Sequence, residues 1–262
     1  MNTHGVFGGV RLWAWFAPSR RIAMASRKGA RAEGGGTPRR ASRRRPDQIP
    51  GGRHGLAPEQ VAESQRSRIL AAMTEAVGRD GYQAARVADV IAHAGVSRKT
   101  FYEHFEDKEH CFIAAYQQAL ARLLSVTLEA FEAQDEWVDQ LRAGLTALLN
   151  ALAYEPGVAR VCFVEVLAAG PQAVATRNDA MRGFAYVYDT GRLETDGDLP
   201  GFTGISMVGG LSEILYREIT AGAATELPQL VPELMYMSVL PFIGADAAAR
   251  ELERGRRRQS GS

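Results

Sequence analysis

Two short helical patterns separated by one glycine are the feature of this sequence that most restricts its fold. Val87, Val90 and Ala94 recur at the spacing of one helical face, and Gly95 follows where a sharp turn needs a residue that tolerates positive φ. Ser97 then predicts an N-cap, because its hydroxyl can accept from a backbone amide in the next helical turn. The spacing therefore predicts a short helix, a tight turn and a second short helix.

A longer helical pattern upstream provides the third member of this unit. Ile69, Met73, Ala76 and Val77 form one apolar face, and Gly81 indicates where that helix ends. Two short helices joined by a tight turn and packed on a longer one make a helix-turn-helix unit. Periodicity alone leaves open an ordinary helical hairpin with a solvated charged face.

The last helix of this unit has an apolar side and a polar side. Phe101 and Phe105 lie one turn apart and are predicted to face the core. The residues on the polar side are Arg98, Lys99, Tyr102 and Glu103. The cations can donate to guanine edges or phosphates, the phenol to a phosphate, and the carboxylate can accept from cytosine. A helix with this face is suited to the major groove of DNA.

The run at 86–109 resembles the DNA-binding segment of the TetR family of bacterial transcriptional regulators. The similarity is carried by Ala-Gly-Val-Ser at 94–97, Phe-Tyr at 101–102, His-Phe at 104–105 and Asp-Lys-Glu at 107–109. The resemblance implies a regulator that binds double-stranded operator DNA and responds to a small molecule. The residues that it implies at the DNA are Ser97, Lys99, Thr100, Tyr102 and His104, with Lys108 on a phosphate.

Two departures from the family pattern affect the choice of DNA sequence. Arg86 begins the second helix where many relatives have Thr, and Lys99 stands where many have Gly. Both substitutions are compatible with the fold, and we expect both side chains at the DNA, so the base preference of a relative does not transfer. His110 replaces the Glu of a capping box, so Asp107 alone is expected to cap the next helix.

The formal charge is divided unevenly along the chain. Residues 1–57 hold 12 Lys or Arg against two acids, residues 58–249 hold 14 against 26, and residues 250–262 hold five Arg against two Glu. The first segment is rich in Gly and Pro and lacks helical periodicity, so it cannot bury enough surface to offset its ordering entropy. We expect a disordered basic arm at 1–57, a DNA-binding domain at 58–107, a ligand-binding and dimerisation domain at 108–249, and a disordered basic tail at 250–262.

The basic arm has more than one interpretation. The arginines at 39–40 and 43–45 can follow phosphates and raise nonspecific DNA affinity. A solvated tail is the alternative, and so is translation from Met24 or a later codon. The apolar stretch at 12–17 is too short for a secretion signal and precedes most of the positive charge. We therefore expect a cytoplasmic protein.

The remainder of the chain predicts an all-α fold. Helical patterns run over 108–134, 139–154, 158–169, 172–192, 203–221 and 228–243, and a loop is expected at 191–202. The first of these helices spans roughly 40 Å at 1.5 Å per residue, long enough to connect a DNA-reading head to a second domain. No strand pattern interrupts the series.

The last two helical patterns are unusually apolar. Gly204, Gly209 and Gly210 would let neighbouring helices approach closely. In TetR-like proteins the last helices pair with their symmetry mates in a four-helix bundle, so the resemblance implies a homodimer formed through these helices. A two-fold dimer suits a palindromic operator. The alternative is that these helices complete the core of a monomer.

A ligand cavity is expected between the connecting helix and its neighbours. The candidate lining residues are Phe112, Tyr116, Trp137, Asn150, Phe163, Glu165, Tyr186 and Tyr216, with Glu213 as a further polar candidate. Core packing is the alternative for each aromatic residue. The set favours a hydrophobic or amphipathic molecule. No histidine follows His110, so we expect no His-based metal site in this domain, and no signal indicates a cofactor.

Other classes of function fit this sequence less well. A Ser/His/Asp triad would need a histidine in the C-terminal body, and the glycine-rich stretches lack P-loop and dinucleotide spacings. Cys111 and Cys162 are too few for a disulfide framework or a four-thiolate zinc site, and no uninterrupted apolar run approaches the roughly 18 residues of a membrane helix. The sequence predicts a dimeric regulator, foremost a repressor released by an inducer, with activation left open. The alternative is a sequence-tolerant architectural DNA-binding protein that uses its basic arm.

Overall fold

A computed structural model describes residues 57–191 and 199–260, without the side chains of Tyr186 and Thr190. All regular elements in those two ranges are α-helices or 3-10 helices. This result confirms the all-α prediction. Residues 1–56 of the expected basic arm at 1–57 and residues 192–198 of the expected loop at 191–202 lie outside the described residues.

Contacts between Cα atoms divide the chain into two compact units at Val61. The first unit is described only from Ala57, whose amide donates to Gln60 Oε1 at 3.3 Å as a helix begins. The second unit begins at Ala62 and contains the larger helical body and all of the helix-turn-helix head except the first four residues of its first helix.

The head consists of α1 (Pro58–Asp80), α2 (Val87–Ala94) and α3 (Arg98–His104). Most of the residues that the helical spacing predicts for its core are buried, and they are Ile69, Met73, Ala76, Val77, Val90, Ala94, Phe101 and Phe105. Val87 is only half-buried, and Leu70 and Ala85 are buried although the spacing did not predict them. Arg68 Nη1 donates to the carbonyl of Ala94 at 2.6 Å, which supplies a donor at the C-terminal end of α2, where carbonyls lack helical partners.

The body contains the remaining helices, which follow the predicted order. They are α4 (Lys108–Glu132), α5 (Trp137–Tyr154), α6 (Pro156–Phe163), a 3-10 turn (Glu165–Leu167), α7 (Pro171–Gly191), α8 (Thr203–Thr220), a 3-10 segment (Ala224–Leu230) and α9 (Val231–Ser260). Helix α4 packs mainly on α5, and α7 packs mainly on α8. The helix predicted at 158–169 is therefore an α-helix followed by a separate 3-10 turn.

The C-terminal helix extends well beyond its predicted end. The backbone is non-helical at Gly244, next to the predicted end at 243, but a further helical segment continues to Ser260. The expectation of a disordered tail is thus wrong for residues 250–260. Glu251 is buried and pairs with Arg142 of α5, 2.5 Å away, while Arg256 pairs with Glu233 at 3.0 Å. These partners are distant in sequence, so the local charge pattern did not reveal them.

Two described helices are long and apolar enough, by length and composition, to cross a membrane. They are Lys108–Glu132 and Ala224–Ser260, and α5 with α6 would be a third candidate if that pair, bent by 110°, were one span. They were not predicted from the sequence because charged and polar residues interrupt their apolar runs. Most of the apolar window of the first helix, 56%, is buried inside the protein, against 33% for the second. Core packing therefore accounts for much of the first helix's hydropathy.

Candidate DNA interface and ligand cavity

Helix α3 is oriented by two local features at its N-terminus. Gly95 adopts the left-handed conformation, with φ of 64°, and so allows the chain to reverse sharply after α2. Ser97 Oγ accepts a hydrogen bond from the amide of Thr100 at 3.0 Å, which confirms the predicted N-cap. Phe101 and Phe105 are buried on the opposite side. These features together direct the polar side of α3 outward.

The outward side of α3 carries the predicted polar set in one continuous patch. Arg98, Lys99, Tyr102 and Glu103 are all exposed, and Tyr102 is 46% accessible although its ring packs edge-on against Phe101 at 5.3 Å. The guanidinium of Arg98 lies 5.7 Å from the centre of the Tyr102 ring, and Lys99 lies 3.6 Å from Glu103. Exposed pairs of this kind contribute little to stability, so these donors remain available to a nucleic acid.

The other predicted DNA contacts occupy less uniform positions. Arg86 is exposed at the N-cap of α2 and makes no capping hydrogen bond with its side chain. Thr100 is half-buried beside Ser97, with the two hydroxyl oxygens 2.9 Å apart. His104 is half-buried near Gln65, and burial, assisted by the positive charge of Arg66, lowers its pKa.

Lys108 is engaged within the protein. Its Nζ donates to the carbonyl of Tyr82 at 2.6 Å and lies 4.2 Å from the centre of the Tyr82 ring. Burial lowers the pKa of this lysine. Asp107 caps the same helix by accepting from the amide of His110 at 2.7 Å, which confirms the predicted cap. Lys108 thus joins the start of α4 to the loop between α1 and α2.

Glu165 connects the body to that same loop. One carboxylate oxygen accepts from the amide of Tyr82 at 2.7 Å, and the other accepts from Arg160 Nε at 2.8 Å. Glu165 is 7% exposed, and Gln83 adds a hydrogen bond to the carbonyl of Ala168 at 3.0 Å. The 3-10 turn after α6 therefore holds the head by hydrogen bonds to its first loop.

Close backbone approach strengthens this junction. A Cβ added to Gly78 of α1 would lie 2.8 Å from Gly157 Cα, so the first helix of the head and the start of α6 are nearly in backbone contact. Gly81 has φ of 83°, and its Cα faces the carboxylate of Glu165. The ring of Phe112 packs edge-on against Tyr82 with centroids 5.0 Å apart. The head and the body are consequently joined by both polar and packing contacts.

An apolar cavity lies inside the body, between the connecting helix α4 and its neighbours. It is lined from α4 by Tyr116, Leu120, Thr127, Leu128 and Phe131, from α5 by Leu141, Gly144, Leu145 and Leu148, from α6 by Cys162 and Phe163, from α7 by Arg177, Ala180, Met181, Phe184, Val187 and Tyr188, and from α8 by Val208, Leu211, Ser212 and Leu215. The cavity is where the sequence predicts one. Its lining is overwhelmingly hydrocarbon.

The structure brings few of the candidate ligand residues to this cavity. Tyr116 and Phe163 line it. The other candidates with described side chains do not line the cavity. Phe112 and Glu165 lie at the head junction, and Trp137 packs on Phe242 with centroids 4.8 Å apart. Asn150 lies in a polar surface groove, and Tyr216 and Glu213 lie on α8. The side chain of Tyr186 lies outside the described residues. Aromatic and polar identity alone did not indicate which side of each helix faces the cavity.

Helix α7 supplies six cavity residues that were not among the predicted ones, more than any other helix. Its cavity residues recur at positions 177, 180, 181, 184, 187 and 188, the spacing of one face of an α-helix. Arg177 belongs to this face although it is charged. The helical spacing of these cavity residues was therefore present in the sequence. Arg177, a charged residue on an otherwise apolar face of α7, was the signal that distinguished this face.

Comparison with known proteins agrees with this architecture. Residues 69–115 match the family model described as "Bacterial regulatory proteins, tetR family". The HTH-type transcriptional activator FasR of Mycolicibacterium smegmatis is 26% identical over 132 residues, which cover 50% of this chain and 60% of the relative. The uncharacterized HTH-type transcriptional regulator YezE of Bacillus subtilis is 24% identical over 102 residues, covering 39% and 52%. The chain thus spans between half and two thirds of the length of these relatives.

Solved structures extend the similarity of fold to the body. FadR from Bacillus subtilis, in complex with stearoyl-CoA, superimposes with a TM-score of 0.60 at 18% identity, over 68% of this chain and 98% of that one. A gamma-butyrolactone receptor described as ArpA-like gives a TM-score of 0.54 at 17% identity, over 78% and 100%. At such identities the likeness concerns the fold. The head thus carries the DNA-binding segment of the tetR family of bacterial regulatory proteins, and the body has the fold of these solved structures.

Proposed function

We propose that the protein is a homodimeric repressor that releases its operator when a hydrophobic or amphipathic small molecule binds in the body. The observation that carries this proposal is the outward side of α3, where exposed Arg98, Lys99 and Tyr102 lie directly above buried Phe101 and Phe105. A rigid helix with donors on one side can enter the major groove and read base edges. Glu103 belongs to the same patch, and Ser97, Thr100 and His104 flank it. Arg86 would approach the phosphates, and Lys108 would do so only if its Nζ left the carbonyl of Tyr82.

Exposed apolar groups on α8 and α9 support the dimer. Met237 is 53% exposed, and Phe202 at the start of α8 is 80% exposed. A Cβ added to Gly209 or Gly210 would meet nothing within 4 Å, so this stretch of α8 is open to close approach by another helix. Apolar area of this kind on the last helices favours an isologous pair, whose two-fold symmetry would match a palindromic operator.

The ligand proposal rests on the cavity. A pocket lined almost entirely by hydrocarbon side chains favours a ligand that is largely apolar. The Bacillus subtilis FadR that shares this fold is described with stearoyl-CoA bound. We infer that a lipophilic ligand of that general kind regulates this protein.

The contacts between cavity and head suggest how a ligand would change DNA affinity. Cys162 and Phe163 line the cavity, and Glu165, two residues further along, holds the amide of Tyr82 in the head. A ligand that displaces the end of α6 would therefore move the 3-10 turn and tilt the head together with the start of α4. Release follows only if the ligand binds the DNA-incompetent state more tightly than the DNA-bound state.

Sedimentation of the wild type and two variants tests the dimer. We expect Met237→Asp to shift the protein towards the monomer, because it places a charge on the proposed interface. Tyr154→Asp is the matched control, since Tyr154 is 86% exposed at the end of α5 and is not part of α8 or α9. Equal sedimentation of Met237→Asp and wild type, or a monomeric wild type, would contradict the proposed interface.

A reporter gene fused to the bound promoter tests the direction of regulation. The proposal predicts that deleting the gene for this protein raises expression and that the ligand does the same in the wild type. Lower expression after deletion would instead indicate an activator, as the FasR relative is described. Since the proposed partners are DNA and a small molecule, we place the protein in the cytoplasm.

A further inference from the structure

We propose that Arg66, on the first helix of the head, binds a DNA phosphate beside the C-terminal end of α3. The inference rests on the proposed function in that it assumes that α3 enters the major groove, and it adds a residue of α1 to the DNA interface. Arg66 precedes both the run at 86–109 that resembles a known DNA-binding segment and the residues 69–115 that match the family model. The structure alone therefore singles it out.

Two consecutive residues of α1 lie against the C-terminal end of α3. Gln65 Oε1 is 3.5 Å from His104 Nε2, and the guanidinium carbon of Arg66 is 5.1 Å from the centre of the Phe105 ring. The centroids of the His104 and Phe105 rings are 6.2 Å apart. These contacts place the positive charge of Arg66 beside the helix whose outward side carries exposed Tyr102.

Arg66 has no acceptor for its N–H groups among the described residues, in contrast to the other two arginines of α1. Arg68 donates to a backbone carbonyl at the end of α2, 2.6 Å away, and Arg79 pairs with Asp80 at 2.6 Å. The contact that Arg66 makes is with an aromatic ring, which supplies no oxygen acceptor. Because a guanidinium has five N–H donors, those of Arg66 are available to an external anion.

The ring beneath Arg66 restricts where its guanidinium can go. Phe105 is 1% exposed, and its ring packs against Phe101 and against the His110 ring, with centroids 5.8 Å and 5.7 Å apart. Arg66 itself is half-buried. A cation is attracted to the face of an aromatic ring, and a side chain that is already restricted loses less conformational freedom on binding. Arg66 is thus preorganised next to α3.

The position of Arg66 favours a phosphate over a base edge. Its contact is with Phe105, which faces the core, so Arg66 lies to the side of the outward patch of α3. When a helix lies in the major groove, about 12 Å wide, its outward side faces the bases and the elements packed beside it face the phosphates. The planar guanidinium matches two phosphate oxygens, and such a contact fixes the register of the protein without reading the sequence.

The salt dependence of DNA affinity, measured with the full chain by fluorescence anisotropy, tests this inference. The probes are a DNA fragment that the wild-type protein selects from the genome and a scrambled fragment of the same composition. Arg66→Met removes the charge and keeps hydrocarbon over the Phe105 ring, whereas Arg66→Lys keeps the charge. Arg79→Met is the matched control, because it removes the same charge from the same helix at a side chain that is 59% exposed. Circular dichroism melting verifies that each variant is folded.

The expected result follows from the release of counterions by each phosphate contact. Arg66→Met should reduce the slope of log affinity against log salt concentration by about 0.9 for each bound protomer. It should also bind both fragments about tenfold more weakly at roughly 0.15 M salt, because a phosphate contact does not depend on base sequence. Arg66→Lys and Arg79→Met should keep the wild-type slope.

Two results would overturn the inference, and both leave the proposed function intact if the wild type prefers the selected fragment. Equal salt slopes for Arg66→Met and wild type would refute the phosphate contact. Weaker binding of Arg66→Met to the selected fragment alone would assign Arg66 to a base edge instead. A wild type that binds both fragments equally would refute the proposed reading of DNA by α3, and the slope of Arg66→Met would still decide whether Arg66 binds a phosphate.

Discussion

Replacing Glu165 with Ala should remove the hydrogen bonds that attach the DNA-binding head to the 3-10 turn of the body and so lower the stability of the protein. The substitution leaves the partly buried amide of Tyr82 without the acceptor that lies 2.7 Å away, at a cost of about 1–3 kcal/mol. It also removes the acceptor of Arg160, whose side chain is 42% exposed, so this loss adds less than about 1 kcal/mol. We expect the free energy of unfolding to fall by about 2–3 kcal/mol.

Urea unfolding and thermal melting measure this change against two further variants. At roughly 2–4 °C per kcal/mol for a protein of this size, the melting temperature of Glu165→Ala should fall by about 4–12 °C. Glu165→Gln keeps an acceptor for Tyr82 and should lose only about 1 kcal/mol. Glu129→Ala is the matched control, because Glu129 is exposed on α4 and should change stability by less than about 0.5 kcal/mol.

The same variants test whether the junction transmits the effect of the ligand. Glu165→Ala should retain ligand affinity, since Glu165 does not line the cavity, but the ligand should weaken DNA binding less than it does in wild type. Stability within 0.5 kcal/mol of wild type, together with unchanged ligand-induced release, would refute the reasoning that Glu165 holds the head in place.

Three further substitutions or treatments have definite expected outcomes. Cys111 and Cys162 are buried with thiol pKa values raised to about 12, so mass spectrometry should find both unmodified by iodoacetamide at neutral pH until urea unfolds the protein; rapid native modification would contradict this burial. Glu251→Ala removes the buried carboxylate that pairs with Arg142, whose side chain is 11% exposed and keeps Asp139 as a second partner, so urea unfolding should show a loss of about 1–3 kcal/mol, whereas a neutral effect would indicate that residues 250–260 do not pack as described. Gly81→Ala forces φ of 83° on an L-residue, so the melting curve should reveal a loss of about 1–2 kcal/mol, and an unchanged curve would argue against that backbone conformation.

The head could be predicted from sequence because its determinants are local. Gly95, the Ser97 cap and the spacing of Phe101 and Phe105 act within a few residues of one another, and each has the predicted role in the structure. Position within one helical turn decides which side chains of α3 point outward. The outward patch therefore followed from spacing alone.

The cavity and the junction could not be predicted in the same way. Glu165 meets the head because the α-helix ends at Phe163 and a 3-10 turn changes its direction, and its partner Tyr82 is 83 residues away in sequence. The Glu251 carboxylate is ordered by Arg142, 109 residues away. Packing between distant helices determines both positions, and one sequence does not contain that information in any local pattern.

The most direct test of the central claim is DNA binding measured by fluorescence anisotropy at about 0.15 M salt. The probes are a DNA fragment selected from the genome by the wild-type protein and a scrambled fragment of the same composition. Wild type, Tyr102→Ala, Tyr154→Ala as an exposed-tyrosine control, and a chain that begins at Pro58 are compared. If α3 reads the operator, wild type, Tyr154→Ala and the shortened chain bind the selected DNA much more tightly than the scrambled DNA, and Tyr102→Ala loses that preference. Equal affinity for both fragments, lost when residues 1–57 are removed, would contradict the account and assign DNA binding to the basic arm.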